Sequence, residues 1–375
     1  MRRLLIPCIC CLLFIQSVIG QNALPTPMPL SSVALEPTLA KPLPAPPVQI
    51  PNNADNPDMA IPRAEPVQER EIVTRLQIYL DQRNFGPGKI DGRWGEFTGK
   101  ALMRYQKSAG LPVDGKWESV PDLLQISPIF TRYTLRDIDF KQVGNVPRQP
   151  LEQAKMKRMP YADIIEFLGE KFHSDRDFIV KLNFDRSMSN LKPGDVIRVP
   201  NVEPFLIETM KESGGLPEVP IFLMRSVHID TREKMLELRE GDKLIAAFPI
   251  TPGSSSHPAP SGTWKIVGIA TLPWFRWDKG VLDRGVRTDN FYNIPAGPNC
   301  PVGVLWCGLN KPGIGIHGTN TPDTIGRSGS HGCIRLANWD AAKFASMVTK
   351  GMTVKIDAKS VVATKDAAPK TASTR

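Results

Sequence analysis

The stretch from Gly313 to Leu336, G-I-G-I-H-G-T-N-T-P-D-T-I-G-R-S-G-S-H-G-C-I-R-L, constrains this chain more than any other. It sets one cysteine, Cys333, in a glycine-rich turn directly after Ser330-His331-Gly332. A second histidine, His317, stands sixteen positions upstream at the end of a short apolar run. Gly329 and Gly332 admit positive φ and close backbone approach, which lets a run of amide N–H groups converge on a developing oxyanion. A turn of this composition is suited to presenting a nucleophile.

A free cysteine is only about 3% thiolate at pH 7, so it needs a partner. An imidazole that lowered its pKa by about two units, roughly 2.7 kcal/mol, would make the thiolate the majority form, and that is the expected resting state. His331 would share a strand face with Cys333, whereas His317 reaches it only if the intervening loop folds back. His317 is assigned as the general base because a loop-closing partner approaches the sulfur from outside the turn. A zinc site built from His317, His331 and Cys333 is the alternative, although the three lack the paired spacing of zinc motifs.

H-G-T-N followed by S-H-G-C-I-R-L resembles the signature of the L,D-transpeptidase (YkuD-type) catalytic domain of bacterial cell-wall synthesis. The resemblance implies Cys333 as nucleophile, His317 as proton donor and acceptor, and the Gly318 carbonyl as the group that orients the imidazole. It places His331 and Gly332 in the oxyanion region and Ser330 and Arg335 at the substrate. Arg335 either pairs with a substrate carboxylate or braces the turn, and His331 either shapes the acceptor side or is a structural hydrogen-bonder. The implied reaction is attack on a peptidoglycan stem peptide, release of D-alanine, and transfer of the acyl group from a thioester to an amine. It uses no cofactor and no metal. An L,D-carboxypeptidase or endopeptidase would share every one of these residues and differ only in resolving the thioester with water.

The first twenty residues read as a secretory signal peptide: Arg2 and Arg3, an apolar run, then Val18 and Gly20 before Gln21. No later stretch is long enough for a transmembrane helix. Export to the periplasm or cell wall is expected, with peptidoglycan stem peptides and glycan strands as partners and a protein as an alternative acceptor. The formal charge of +9, or +7 without Arg2 and Arg3, suits either an anionic wall polymer or a merely soluble surface. Nothing points to nucleic acid. Of six cysteines, Cys300, Cys307 and Cys333 follow the leader. An odd number in an oxidising compartment leaves one thiol free or paired between chains; Cys300 and Cys307 could bridge across P-V-G-V-L-W, or all three could stay reduced.

The expected fold class is multidomain, with a small all-α peptidoglycan-binding domain, an α+β LysM-like module and a mostly β L,D-transpeptidase catalytic domain. Residues 21–66 are Pro/Ala-rich and read as a disordered tether. Residues 67–126 show helical spacing at Ile72, Val73, Leu76, Tyr79 and Leu80 and again at Ala101, Leu102 and Tyr105. The intervening F-G-P-G-K-I-D-G-R-W-G-E-F-T-G-K-A-L resembles a peptidoglycan-binding domain; Trp94 and Phe97 are read as core residues. Residues 130–153 read as a polar connector with one or two short strands. Residues 155–202 resemble a βααβ LysM module in their second half, N-L-K-P-G-D-V-I-R-V-P-N, while P-Y-A-D replaces the usual opening. Residues 219–358 carry short strands at 221–229, 234–238, 243–249 and 262–270, expected to form a sandwich or incomplete barrel. His173, His228 and His257 are read as structural or incidental. The aromatic loop 272–297 is expected to roof a peptide groove or to form a satellite cluster. Asn338 is expected to cap a helix that Gly351 ends, and residues 359–375 read as a polar tail.

Overall fold

Along the strands between 225 and 356, residues at every second position bury in one core: Val227 and Ile229, Leu236 and Leu238, Ala246 and Phe248, Val354 and Ile356. Period-two burial of this kind builds a sheet with one dry face. The strands are β3 (Arg225–Asp230), β4 (Met235–Glu240), β5 (Lys243–Pro249), β6 (Gly262–Thr271), β9 (Leu305–Leu309), β10 (Gly315–His317), β11 (Ile334–Arg335) and β12 (Thr353–Ile356). They form one eight-stranded sheet in the order β11-β10-β9-β6-β12-β3-β4-β5. Only the β3/β12 and β10/β11 pairs are parallel. Helix α8 (Asn338–Ala345) lays Ala341, Phe344 and Ala345 into the same core. Each buried Leu, Ile or Phe contributes about 1.5–3 kcal/mol.

The sheet nearly closes on itself. Just past β5, Thr251 exchanges two backbone hydrogen bonds with Arg335 of β11, each 3.0 Å, so the two outer strands of the order meet at a seam. Of the two architectures expected, the incomplete barrel is the one formed. The strand expected at 221–229 begins only at Arg225, because Pro220 starts a short 3-10 turn to Met224.

The structure, a computed structural model, describes residues 67–357 except Ser255, Ser328, Ser330 and His331. The signal peptide, tether and tail expected from the sequence lie outside these residues. Among the described residues no helix is long and apolar enough to cross a membrane.

Two helices, α1 (Val67–Gln82) and α2 (Glu96–Ala109), precede the sheet and pack on it. Leu76, Tyr79, Leu80, Ala101 and Leu102 share a cluster with Met235, Leu244 and Ala247 of β4 and β5. β4 and β5 are therefore buried on both faces, which is why the run Met235–Leu238 is buried without alternation. The loop after α1 also covers the open backbone of β5: Gly86 N–H donates to Ala247 O at 2.8 Å, and Ala247 N–H to Asn84 O at 2.9 Å. Trp94 is not a core residue; it is 49% exposed. Phe97 packs against the helical cluster and also meets the loop at Gly326, where an added Cβ would lie 2.2 Å from its ring.

Between these parts lies a middle module. Its strands β1 (Phe130–Thr134) and β2 (Val196–Pro200) pair antiparallel from Phe130↔Pro200 to Thr134↔Val196. Between them run the one-turn helices α3 (Asp137–Phe140) and α4 (Pro150–Gln153), then α5 (Ile164–Lys171) and α6 (Arg176–Leu182). Asp163 and Asp175 cap α5 and α6 by accepting from backbone N–H groups. The first strand is thus supplied by 130–134, well before residue 155, and α3 and α4 occupy the insertion between it and α5.

All described residues lie within one compact unit, and the three parts share buried polar contacts. Asp81 of α1 accepts from Lys343 Nζ of α8 at 2.8 Å and lies 3.0 Å from His173 Nδ1, whose ring stacks on Trp339 at 5.7 Å. Despite burial, His173 and Lys343 hold the Asp81 carboxyl well below the usual carboxylate range. Removing one partner of a buried ion pair costs about 3–5 kcal/mol. Asp81→Ala should lower the unfolding free energy by that amount in urea titration; a loss below about 1 kcal/mol would contradict a shared junction.

Candidate active site

β10 and β11 run side by side and parallel, with Ile316 opposite Ile334 and His317 opposite Arg335. Ile316 and Ile334 are fully buried in the sheet core. Side chains alternate across a strand, so His317 and Arg335 face the other side, and continuing the register back puts Cys333 there too, opposite Gly315. A strand spacing of about 4.8 Å and a rise of about 3.3 Å per residue place the His317 and Cys333 Cα atoms about 8 Å apart. The seam with Thr251 holds β11 in that register.

The imidazole is packed on both flanks. Trp306 of β9 pairs with His317 across the strands, their rings stacked with centroids 5.6 Å apart. On the other flank lies Arg335. A Cβ at Gly315, opposite Cys333, would lie 2.9 Å from the Trp306 ring and from the Cys307 carbonyl oxygen, so the position has room only for glycine.

His317 Nδ1 donates to the Gly318 carbonyl at 2.6 Å. A carbonyl only accepts, so Nδ1 carries the proton and Nε2 remains a base. Burial, with the Arg335 cation adding to it, drives the His317 pKa down to about 4, against the opposing pull of the Gly318 bond. Burial pushes the Cys333 thiol up, although Arg335 and a Gly315 backbone contact pull the other way. The thiol donates to Gly313 O at 3.4 Å. The expected thiolate is therefore corrected: at neutral pH the pair is imidazole and thiol, because both groups are desolvated and each charged form is penalised.

Gly332 adopts φ 100° in the turn before Cys333. Ser330 and His331 lie outside the described residues. Arg335 Nη2 donates to Gly329 O at 2.5 Å, bracing the turn, while its Nε is buried without a hydrogen-bond partner. Among the described residues no three His, Cys, Asp or Glu side chains gather as a metal site.

Cys300 and Cys307 are not bridged. Cys307 points from β9 into the sheet core, whereas Cys300 sits in a separate cluster with Met159, Ile294 and Val302. The turn between them sends the two thiols into different cores. Burial pushes the Cys300 pKa up to about 12 and that of Cys307 higher.

Sequence reasoning misplaced Asn338. It is the first residue of α8, where Ala337 holds the cap position, and its side chain turns inward. Asn338 Oδ1 accepts from Val304 N–H and Thr319 N–H, both at 3.2 Å. Gly318 is pressed against this oxygen, which an added Cβ would approach to 2.3 Å. The signal available was a buried amide one turn after the catalytic stretch, but it reads equally as a cap. His228 bonds Asp357 at 2.7 Å and His257 contacts Ser256 at 3.2 Å.

The aromatic loop is an ordered flap: β7 (Phe275–Asp278), α7 (Lys279–Arg284) and β8 (Phe291–Ile294), with β7 and β8 antiparallel. Asp278 organises it by accepting from Gly280, Val281 and Thr288 N–H and from the Thr288 hydroxyl. Phe275 and Trp277 pack against the buried cluster of Met159, Ile294, Cys300 and Val302, against which Trp306 also packs.

Residues 224–356 match the family model described as the L,D-transpeptidase catalytic domain, and residues 69–119 that described as "Putative peptidoglycan binding domain". The chain is similar to a "Putative L,D-transpeptidase YkuD" of Bacillus licheniformis, 25% identical over 201 residues, 54% of this chain and 98% of that one. A Bacillus subtilis protein of the same description is 29% identical over 143 residues, 38% of this chain and 71% of the relative. Among solved structures, an L,D-transpeptidase from Mycobacterium smegmatis aligns with TM-score 0.30 at 17% identity, over 36% of this chain and 59% of that one.

The burial of His317 has a direct readout. In an NMR titration its imidazole should change protonation near pH 4. A midpoint near the ordinary value of about 6.5 would show a solvated ring and contradict the packing described.

Proposed function

We propose that this chain, which carries an L,D-transpeptidase catalytic domain behind a peptidoglycan-binding domain, is an exported enzyme that crosslinks peptidoglycan stem peptides through a thioester on Cys333. The observation that carries the reading is the His317 Nδ1 bond to Gly318 O at 2.6 Å, which leaves Nε2 basic on the sheet face that Cys333 shares.

In the acylation step Nε2 takes the thiol proton as Sγ attacks the carbonyl before the terminal D-alanine. The carbonyl oxygen becomes an oxyanion facing the backbone amides around Cys333 and Gly332, an arrangement in which one donor is worth about 10²–10³ in rate. Collapse breaks the peptide bond, His317 passes its proton to the departing nitrogen, and the thioester remains. An amine from a second stem then attacks the thioester, Nε2 takes a proton from it, and the sulfur leaves and is reprotonated by the imidazolium. One amide replaces another, so no outside source of energy is needed.

Arg335, with one guanidinium nitrogen spare and buried, is suited to a substrate carboxylate beside the nucleophile. The flap, which packs on the same buried cluster as Trp306, is suited to covering the bound peptide. His331 and Ser330 flank the nucleophile in sequence, where acceptor and donor stems would meet. The middle module, with its ββ pair and two helices, is suited to holding glycan beside the peptidoglycan-binding domain, and the periplasm or cell wall is where such partners are found.

Incubation of the full chain with defined tetrapeptide fragments, followed by mass spectrometry, should yield 3-to-3 crosslinked dimers and free D-alanine. Cys333→Ala should yield none while unfolding at an unchanged urea midpoint; equal crosslinking by that variant overturns the assignment. Tripeptide as the sole product would make the enzyme a hydrolase with the same nucleophile. A carbapenem should add one mass per chain at Cys333, and adduct at buried Cys300 or Cys307 instead would contradict the site.

A further inference from the structure

The amide that orients His317 is held from behind by a carboxyl of a different module. We infer that Glu170, on α5, is a positioning residue for the catalytic histidine and acts through Asn338. The inference rests on the proposed role of His317 and extends it to a residue far from it in sequence.

Gly318 C=O and Thr319 N–H belong to one peptide unit. Its oxygen receives the His317 Nδ1 proton, and its N–H donates to Asn338 Oδ1 at 3.2 Å. The plane that sets the imidazole is therefore fixed at both ends. Asn338 in turn has a single workable orientation. Its Oδ1 faces two backbone donors, while its Nδ2 donates to Glu170 Oε1 at 3.0 Å, Glu170 Oε2 at 3.1 Å and Pro298 O at 3.2 Å. An amide flip would point the Nδ2 hydrogens at the Val304 and Thr319 N–H groups, leaving both backbone donors without an acceptor.

Glu170 is anchored as firmly. The Tyr161 hydroxyl donates to its Oε1 at 2.7 Å, and Tyr161, Glu170, Thr319 and Asn338 are all buried. Burial pushes the Glu170 pKa up to about 8, so at neutral pH the group is largely the neutral acid and no uncompensated charge sits behind the site. A glutamine has nearly the same shape and offers one acceptor oxygen to Asn338 and Tyr161. An alanine offers none and leaves Nδ2 with only Pro298, free to let the Gly318–Thr319 peptide tilt.

The test uses the full chain and two readouts, the crosslinking rate against pH and the NMR titration of His317. Wild type should show an acid limb of kcat/KM near pH 4, following His317. In Glu170→Ala kcat should fall about 10²-fold, the scale of a small misplacement of a catalytic group. KM should stay within about two-fold, and both the limb and the His317 midpoint should fall below their wild-type position, because a tilted Gly318 carbonyl no longer supports the imidazolium against burial and Arg335. Glu170→Gln should restore kcat to within a few-fold and leave the limb in place. Leu168→Ala, a buried α5 residue in the same module core, should destabilise the chain without moving either midpoint. If Glu170→Ala is folded and both midpoints stay near pH 4, or move equally in Leu168→Ala, the inference fails while the function stands. If wild type makes no crosslinks or Cys333→Ala still makes them, the proposed function fails instead, and the NMR midpoints still decide the inference. Should Glu170→Ala not fold, Asn338→Ser cuts the same link from the other end and is judged by the same midpoints.

Discussion

The parallel pairing of β10 with β11, sealed by the two hydrogen bonds between Thr251 and Arg335, is the contact on which the rest of the site depends. β11 has only two residues and would not hold its place as a free edge. Flanked by β10 on one side and the chain after β5 on the other, it becomes an interior strand, and a one-residue slip would bury Cys333 and expel Ile334. The burial of Ile316 and Ile334 thus fixes which face carries the thiol and the imidazole. Thr251 also ties down the connecting loop, since its hydroxyl accepts from Gly326 N–H at 2.8 Å and donates to Thr324 O at 3.2 Å.

The upstream parts are built into this arrangement. The helical pair buries Met235, Leu244 and Ala247 of the sheet, and the middle module shares a core with Val304, Ala337 and Trp339 around the catalytic strands. Lys89 pairs with both Asp175 of the middle module and Asp323 of the catalytic loop. Glu170 and Asp81 reach α8 through buried polar contacts, whose geometry is specific because an unmatched buried group is costly. The helical pair, the middle module and the sheet therefore share one scaffold.

Much of this was legible in the sequence for identifiable reasons. The spacing of Leu76, Tyr79 and Leu80 is helical, and the strands from Lys234 to Pro249 are bounded by turn residues. Gly318 follows His317 directly, so its orienting carbonyl could be named from a motif. What was not legible required long-range contact. The strand at 130–134 pairs with residues more than sixty positions away. Cys300 and Cys307 are near in sequence yet enter different cores. Asn338 was read as a cap because its partners, Thr319 and Glu170, are distant along the chain. The ionisation state was misjudged because a sequence shows which groups are near each other only in part, and shows nothing of how much water they lose.

That last point bears on mechanism. A thiol held toward its neutral form resists casual oxidation better than a standing thiolate. The central claim is this neutral resting pair. The rate of Cys333 alkylation by iodoacetamide against pH, followed by intact mass on the full chain, measures it directly. The rate should rise with a midpoint above the ordinary thiol value of about 8.5. A plateau already reached below pH 7 would mean a preformed thiolate–imidazolium pair and would contradict it.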